Sequence, residues 1–145
     1  MNPYRILITG SRDWQDPGVV RRALAEALAA RPDDQPIVVV HGDCPTGADI
    51  MAKVWTLDDE NVTEEPHEAA WHLHGRKAGP IRNQHMVAKG ADVCLAFIRN
   101  NSRGATGCAR SGAPRPRRTS LILPVRAADG EGDHAKHGGG AILTP

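Results

Sequence analysis

Hydrophobic positions along the chain fall into short runs that are separated by turn residues and by segments of helical spacing. Residues 5–9, 36–40 and 92–98 are dominated by aliphatic and β-branched side chains, which is typical of strands covered on both faces. Residues 61–66 form a weaker extended segment, and residues 121–125 predict a final strand. The pattern therefore predicts five strands, of which three are strong.

Apolar residues recur at helical spacing between these strands. The predicted helices run from Asp16–Pro17 to Arg31, from Thr46 or Gly47 to Leu57, and from Gly79–Pro80 to Gly90. Strands that alternate with helices predict an α/β fold, with helices on both faces of a mostly parallel sheet in three layers, α/β/α. The pattern does not assign residues 67–78. For Trp71, inside that segment, it favours the core over the wall of a pocket.

The last third of the chain has a different composition. Residues 111–120 carry Pro114 and Pro116 among arginines, a composition that cannot sustain a helix. The final strand is expected at an edge of the sheet, because Pro124 lacks a backbone donor. We therefore expect one domain over residues 1–126, with an irregular segment at 111–120. A flexible tail is expected over residues 127–145, which are rich in Gly, Asp and His.

Charge and length narrow the classes of partner. The 145 residues fit one domain, and 18 basic against 17 acidic residues give a net charge of +1. This balance gives no overall field that would attract nucleic acid or an anionic membrane, so it speaks against both, despite the arginines near residue 115. A homodimer is compatible with such a surface. No apolar run approaches the roughly 18 residues of a membrane span, and we expect a soluble cytoplasmic protein.

Neither a metal nor a cofactor is expected from the sequence. Cys44, Cys94 and Cys108 are widely spaced and form no Cys-x-x-Cys pair, which favours reduced thiols over a disulfide framework or a zinc site. His72 and His74 are spaced to lie on one strand face, but no second pair stands at a recognised spacing.

Glycine-containing loops follow the predicted strands, and in open parallel sheets ligands bind beyond the carboxyl ends of the strands. Gly10, Ser11 and Arg12 either bind an anion or form a plain strand-to-helix turn. Residues 41–49 bring a helix N-terminus together with two aspartates, which suits a ligand that carries both phosphate and sugar hydroxyls. The alternative is that the aspartates only stabilise the turn and the helix dipole. Two further candidate segments are residues 77–83, at a predicted helix start, and residues 100–107, within a polar loop that is predicted over residues 99–107.

Four segments, residues 5–14, 41–49, 75–83 and 104–107, resemble the YspA (cpYpsA-related) family of SLOG domains. These are Rossmann-like domains related to the LOG and DNA-processing DprA/Smf groups. The resemblance, over about residues 4–108, implies binding or sensing of a nucleotide or nucleotide-derived small molecule through the glycine loops. The implied ligand-binding residues are Gly10, Ser11, Arg12, Gly42, Asp43, Gly47, Asp49, Arg82, Asn83, Gly104, Thr106 and Gly107.

An enzymatic alternative is LOG-like hydrolysis of a nucleotide N-glycosidic bond, with Asp43 or Asp49 as the catalytic carboxylate. LOG enzymes carry a Pro-Gly-Gly-x-Gly-Thr-x-x-Glu motif whose Glu is catalytic. Here no acid follows Gly107, since the next residues are Cys, Ala, Arg and Ser. This departure speaks against hydrolysis by the usual route, and whether the protein is an enzyme stays open.

Overall fold

A computed structural model describes residues 2–32, 34–99, 103 and 107–108, together with the backbone of residues 122–126. The elements, in chain order, are β1 (Tyr4–Gly10), α1 (Pro17–Ala29), β2 (Ile37–His41), α2 (Ala48–Thr56), β3 (Val62–Pro66), α3 (Trp71–His74), a 3₁₀ turn (Gly75–Lys77), α4 (Ala78–Lys89), β4 (Val93–Ile98) and β5 (Ile122–Arg126). The sheet has five strands in the order β3-β2-β1-β4-β5, and every neighbouring pair is parallel. This confirms the predicted Rossmann-like α/β fold.

The strand order reverses direction at β1, and the helices lie on opposite faces of the sheet. Helices α1 and α2 cover one face, where Ile6, Ile8, Leu95 and Phe97 belong to the larger apolar cluster. Helix α4 covers the other face, where a smaller cluster contains Leu7, Val40, Met86, Cys94 and Cys108. The alternation of side chains along each strand produces this division. The carboxyl ends of the strands, with the loops that follow them, then share one edge of the sheet.

The cysteines of the smaller cluster are free thiols. Burial raises the pKa of Cys94 to about 12, and it also raises the pKa of Cys108. Both groups therefore stay protonated at neutral pH, which makes them poor nucleophiles and poor metal ligands.

The predicted helices and strands are present, with ends that differ by a few residues at most. Helix α1 begins as expected, since the Asp16 side chain accepts a hydrogen bond from the Val19 amide. Gly90 ends α4 at φ +79°. Strand β5 lies at the sheet edge, as predicted. None of the helices in the described part of the chain is long and apolar enough to cross a bilayer.

Two local expectations are wrong. Trp71 is 48% exposed rather than part of the core, because it begins the short helix α3 outside the sheet layers. Arg103 and Gly107 have helical backbone, where the sequence predicted a loop up to residue 107. The expected irregular segment 111–120 and the tail 127–145 lie outside the described residues.

Candidate functional site

A cavity of about 340 Å³ opens at the carboxyl edge of the sheet, where the loops after β1, β2 and β3 meet. Its lining residues are Arg12, Gly42, Asp43, Cys44, Pro45, Thr46, Glu68, Ala69, Trp71 and Arg82. The volume is at the lower end of the roughly 300–1,000 Å³ that is usual for small-molecule sites. The cavity therefore has the size of a site for a small ligand.

Two glycines bring the loop after β1 against the start of α2. Gly47 is the N-cap residue of α2 and has φ +76° and ψ −150°, a conformation that is essentially restricted to glycine. A Cβ at Gly47 would overlap the Ser11 carbonyl oxygen and lie 3.0 Å from the Arg12 Cα. A Cβ at Gly10 would overlap the Ala48 side chain. The backbone of Arg12 is thereby held directly beside the N-terminus of α2.

Ser11 ties the same loop to the end of β4. Its amide donates to the Phe97 carbonyl at 2.8 Å, and its buried hydroxyl donates to the Arg99 carbonyl at 3.0 Å. The hydroxyl also accepts a hydrogen bond from the Arg99 amide at 2.8 Å. Ser11 therefore supports the site by fixing its loop, and its side chain is not among the residues that line the cavity.

His41 fixes the loop after β2 through the hydrogen bonds of its ring. The ring is fully buried, and its Nδ1 accepts a hydrogen bond from the Asp43 amide at 3.1 Å. Since Nδ1 accepts, the proton is on Nε2, which donates to Glu64 at 3.0 Å. These bonds hold Asp43 at φ +50°, where its side chain reaches the cavity wall.

His41, Asp43 and Glu64 bring three ligand atoms within 4.8 Å of one another, which raises the question of a metal ion. The Lys53 ammonium lies 3.3 Å from Asp43 and 3.6 Å from Glu64, so the two carboxylates already share a cation. The His41 ring has no nitrogen lone pair left for a metal in this arrangement, because Nε2 carries the proton. This group therefore fits an internal ion-pair network better than a metal site.

Asp49 is a buried carboxylate at the start of α2. It accepts a hydrogen bond from the Cys44 amide at 3.3 Å, and its charge lies near Arg82 and His41. Burial raises the pKa of Asp49, an effect that hydrogen bonds from the Cys44 and Gly42 amides and the charge of Arg82 partly oppose. The carboxylate organises the loop after β2, and Asp49 does not belong to the cavity lining.

Arg82 projects from α4 and joins the loops that follow β2 and β3. Its Nη1 donates to the Gly42 carbonyl and, at 3.4 Å, to the His67 carbonyl, and its Nε donates to the Asn83 side chain at 2.8 Å. A Cβ at Gly42 would overlap this guanidinium, which explains why glycine occupies that position. Arg82 therefore connects the two loops and also places a positive charge in the cavity wall.

Three residues that lie outside the candidate segments of the sequence, Glu68, Ala69 and Trp71, also line the cavity. The Trp71 ring lies below the Arg12 guanidinium, whose Cζ is 5.3 Å from the ring centroid. Glu68 follows two residues after the end of β3. Its place beyond the carboxyl end of a strand was the available signal, but β3 is the weakest strand in the sequence pattern. Trp71 gave no periodic signal, because it lies in the short helix α3.

The structure divides the twelve predicted site residues into groups. Arg12, Gly42, Asp43 and Arg82 line the cavity. Gly10, Ser11, Gly47, Asp49 and Asn83 contact the residues or loops that form it. Gly104 and Thr106 lie outside the described residues, and Gly107 is exposed on helical backbone. Their roles in binding stay predictions.

A Rossmann-like sheet with a cavity at its carboxyl edge, bordered by a helix N-terminus and two arginines, defines a class of small-ligand-binding domains. The chain belongs to the YspA, cpYpsA-related SLOG family, whose model matches residues 4–74. This range contains the loops after β1 and β2 and also Trp71, but it stops before Arg82. Membership of the SLOG family points to a nucleotide-related function.

The chain is also similar to a phage protein. It is 48% identical over 110 residues to the Gene 61 protein of Mycobacterium phage D29, an alignment that covers 73% of this chain and 86% of that protein. No solved structure matches the chain.

Proposed function

We propose that this protein binds a nucleotide or a nucleotide-derived small molecule in the cavity at the carboxyl edge of the sheet, and that it acts as a sensor of that molecule. The observation that carries the proposal is the meeting of two guanidinium groups, a helix N-terminus and an indole ring around one cavity. A phosphate, a sugar and a planar base each find a matching group there.

The phosphate is expected beside Arg12 and the N-terminus of α2. The helix begins with Gly47 as N-cap, which has no side chain to bond the free amides of the first turn. Such amides and the helix dipole favour an anion, and an arginine adds charged donors in a planar fork. Arg82 supplies a second positive charge in the cavity wall.

The sugar is expected near the acidic side chains of the wall. Asp43 and Glu68 offer carboxylate oxygens, which accept hydrogen bonds from ribose hydroxyls. The Lys53 ammonium, 3.3 Å from Asp43, balances part of this negative charge. The cavity can therefore hold a phosphate and two acids without a large excess of either charge.

Hydrolysis of the ligand is the second candidate function, and one observation distinguishes the two candidate catalytic carboxylates. Asp43 lines the cavity, whereas Asp49 is buried and bonded within its loop. If an aspartate acts on an N-glycosidic bond, Asp43 is therefore the better placed of the two.

Thermal unfolding with and without nucleoside 5′-monophosphates and NAD-like compounds tests the binding proposal. A ligand at about 100 times its dissociation constant adds about 2.7 kcal/mol to the free energy of unfolding. Arg12→Ala should weaken binding about tenfold or more, because the variant loses a charged phosphate donor. Arg22→Ala removes an exposed arginine from α1 and serves as the matched control.

The same samples separate binding from turnover. Saturable binding without release of free base supports the sensor. Base release that Asp43→Asn abolishes would replace the sensor by the hydrolase. If no compound of either class binds, the nucleotide proposal is wrong.

A further inference from the structure

The three tryptophans of the chain lie in different surroundings, and only Trp71 lies at the cavity. Trp14 is buried, packs edge-on against Phe97 and donates from Nε1 to the Asp16 carbonyl at 2.9 Å. Trp55 packs against the larger core cluster. Trp71 is 48% exposed, although an indole gains much from burial. The core therefore does not account for Trp71.

The Trp71 ring is supported at its edge and covered on a face. Its Cη2 lies 3.4 Å from the position that a Cβ at Gly79 in α4 would take. The Arg12 guanidinium lies over the ring, with Cζ 5.3 Å from the centroid. A guanidinium is planar and stacks on aromatic rings. Arg12 therefore covers a surface of a kind that also suits a nucleobase.

Arg12 is anchored where it can serve either of two partners. Its Cα lies against Gly47 at the N-terminus of α2, where the phosphate is proposed. The loop backbone is held by the two hydrogen bonds between the Ser11 hydroxyl and Arg99. Exchange of the indole for a phosphate would then require only a rotation of the Arg12 side chain, because these contacts hold the backbone of the loop.

We infer that Trp71 is the base-recognition surface of this site. The ligand carries a planar heterocycle that stacks on the indole face now covered by Arg12, and Arg12 turns to the ligand phosphate. The inference rests on the proposed function and deepens it, since it requires a ligand with both a phosphate and an aromatic base. A sugar phosphate alone then binds weakly, because it leaves the indole uncovered.

The test compares ligands with and without a base in matched variants. The ligands are the four common ribonucleoside 5′-monophosphates, NAD-like compounds and ribose 5-phosphate, measured by calorimetric titration or by competition. Trp71→Leu removes the aromatic face, and Trp71→Phe keeps one. Leu73→Ala, at a position that is 70% exposed in the same helix, is the control.

In the unsubstituted protein the best mononucleotide should bind about tenfold or more tightly than ribose 5-phosphate, as stacking on an aromatic side chain predicts. Trp71→Leu should remove most of this ratio and leave ribose 5-phosphate unchanged. Trp71→Phe and Leu73→Ala should retain most of it. Circular dichroism of each variant confirms that the comparison is made between folded proteins.

Each contrary outcome identifies what failed. If mononucleotides bind but the ratio is the same in Trp71→Leu, or is near one in the unsubstituted protein, base recognition by Trp71 is wrong and the proposed function stands. If neither mononucleotides, NAD-like compounds nor ribose 5-phosphate bind, the proposed function itself is overturned.

Discussion

The residues around the cavity form two sets that differ in what holds them. One set, which we call the frame, is packed or hydrogen-bonded inside the protein and gives the loops their shape. It includes Gly10, Ser11, Gly47 and Asp49. The other set, which we call the ligand-facing set, presents its side chains to the cavity. It comprises Arg12, Asp43, Glu68, Trp71 and Arg82. A glycine or a serine in a motif can therefore mark a site by building its frame, without touching the ligand.

The largest expected effect is on the frame, at Gly47. Gly47→Ala places a Cβ against the Ser11 carbonyl at φ +76°, so both overlap and backbone strain act. We expect a loss of at least about 3 kcal/mol in the free energy of unfolding, measured by urea denaturation.

Gly90→Ala is the matched control for this effect. Gly90 has φ +79°, but no atom lies within 4 Å of the position of its Cβ. This variant therefore carries only the backbone strain, about 1–3 kcal/mol. Equal losses at both glycines would mean that the close approach of the two loops contributes nothing.

Ser11→Ala should have the next largest effect. The change leaves the Arg99 amide and carbonyl without their side-chain partner at the end of β4, which should cost about 1–3 kcal/mol. At temperatures where the variant stays folded, its affinity for a mononucleotide should change by less than about threefold, because the Ser11 side chain does not line the cavity. A threefold change in affinity corresponds to less than 1 kcal/mol. A stable Ser11→Ala protein that has lost binding would move Ser11 from the frame to the ligand-facing set.

Glu65 supports the frame through a network of hydrogen bonds and ion pairs next to the loop that follows β3. Arg5 donates two hydrogen bonds to its carboxylate, at 2.8 and 3.0 Å, and His67 and Lys89 contact the same group. The hydrogen bonds from Arg5 hold the pKa of Glu65 well below its usual range, although burial acts in the opposite direction. His67 also offers its carbonyl to Arg82, so the network reaches the cavity wall.

This network predicts a specific loss of stability in acid. Because the pKa of Glu65 is lower in the folded state than the unfolded value of about 4.3, its contribution is complete above that pH and declines as the pH falls toward the folded pKa. Between pH 5 and 3 the unsubstituted protein should lose about 1 kcal/mol more than Glu65→Gln does. Glu26→Gln, an exposed position on α1, is the control. If the unsubstituted protein and Glu65→Gln lose the same free energy of unfolding between pH 5 and 3, Glu65 does not support the frame.

The sequence predicted the fold well because strands and helices have strong periodic signals. The apolar runs at residues 36–40 and 92–98 and the proline and glycine signals at helix ends lie close to the observed elements. The glycine loops were found for a related reason, since a glycine at a strand end marks a sharp turn or a close approach. Such signals are local, and they describe the frame better than the ligand-facing set.

What the sequence could not predict depends on contacts between distant segments. Trp71 reaches the cavity because a four-residue helix carries it there, and Arg12 covers it from a loop about sixty residues earlier. No period in the chain reports that contact. Likewise, the competing roles suggested for Ser11 and Asp49 could be compared only when their partners, Arg99 and the Cys44 amide, were known.

The smallest expected effect on stability lies in the ligand-facing set, at Asp43. Asp43→Gly removes a partly exposed ion pair with Lys53, which solvent screens, and adds freedom to the unfolded chain. It also relieves the strain of a non-glycine residue at φ +50°, about 1–2 kcal/mol. The free energy of unfolding should therefore change by less than about 1 kcal/mol. Asp43→Ala keeps the strain and should be less stable than Asp43→Gly by about 1 kcal/mol. Affinity for a mononucleotide should instead fall by a similar factor, about tenfold, in both variants, because each lacks the carboxylate that we propose accepts hydrogen bonds from the ribose. If affinity followed stability across the pair, Asp43 would belong to the frame, and the division of the site into two sets would fail at this residue.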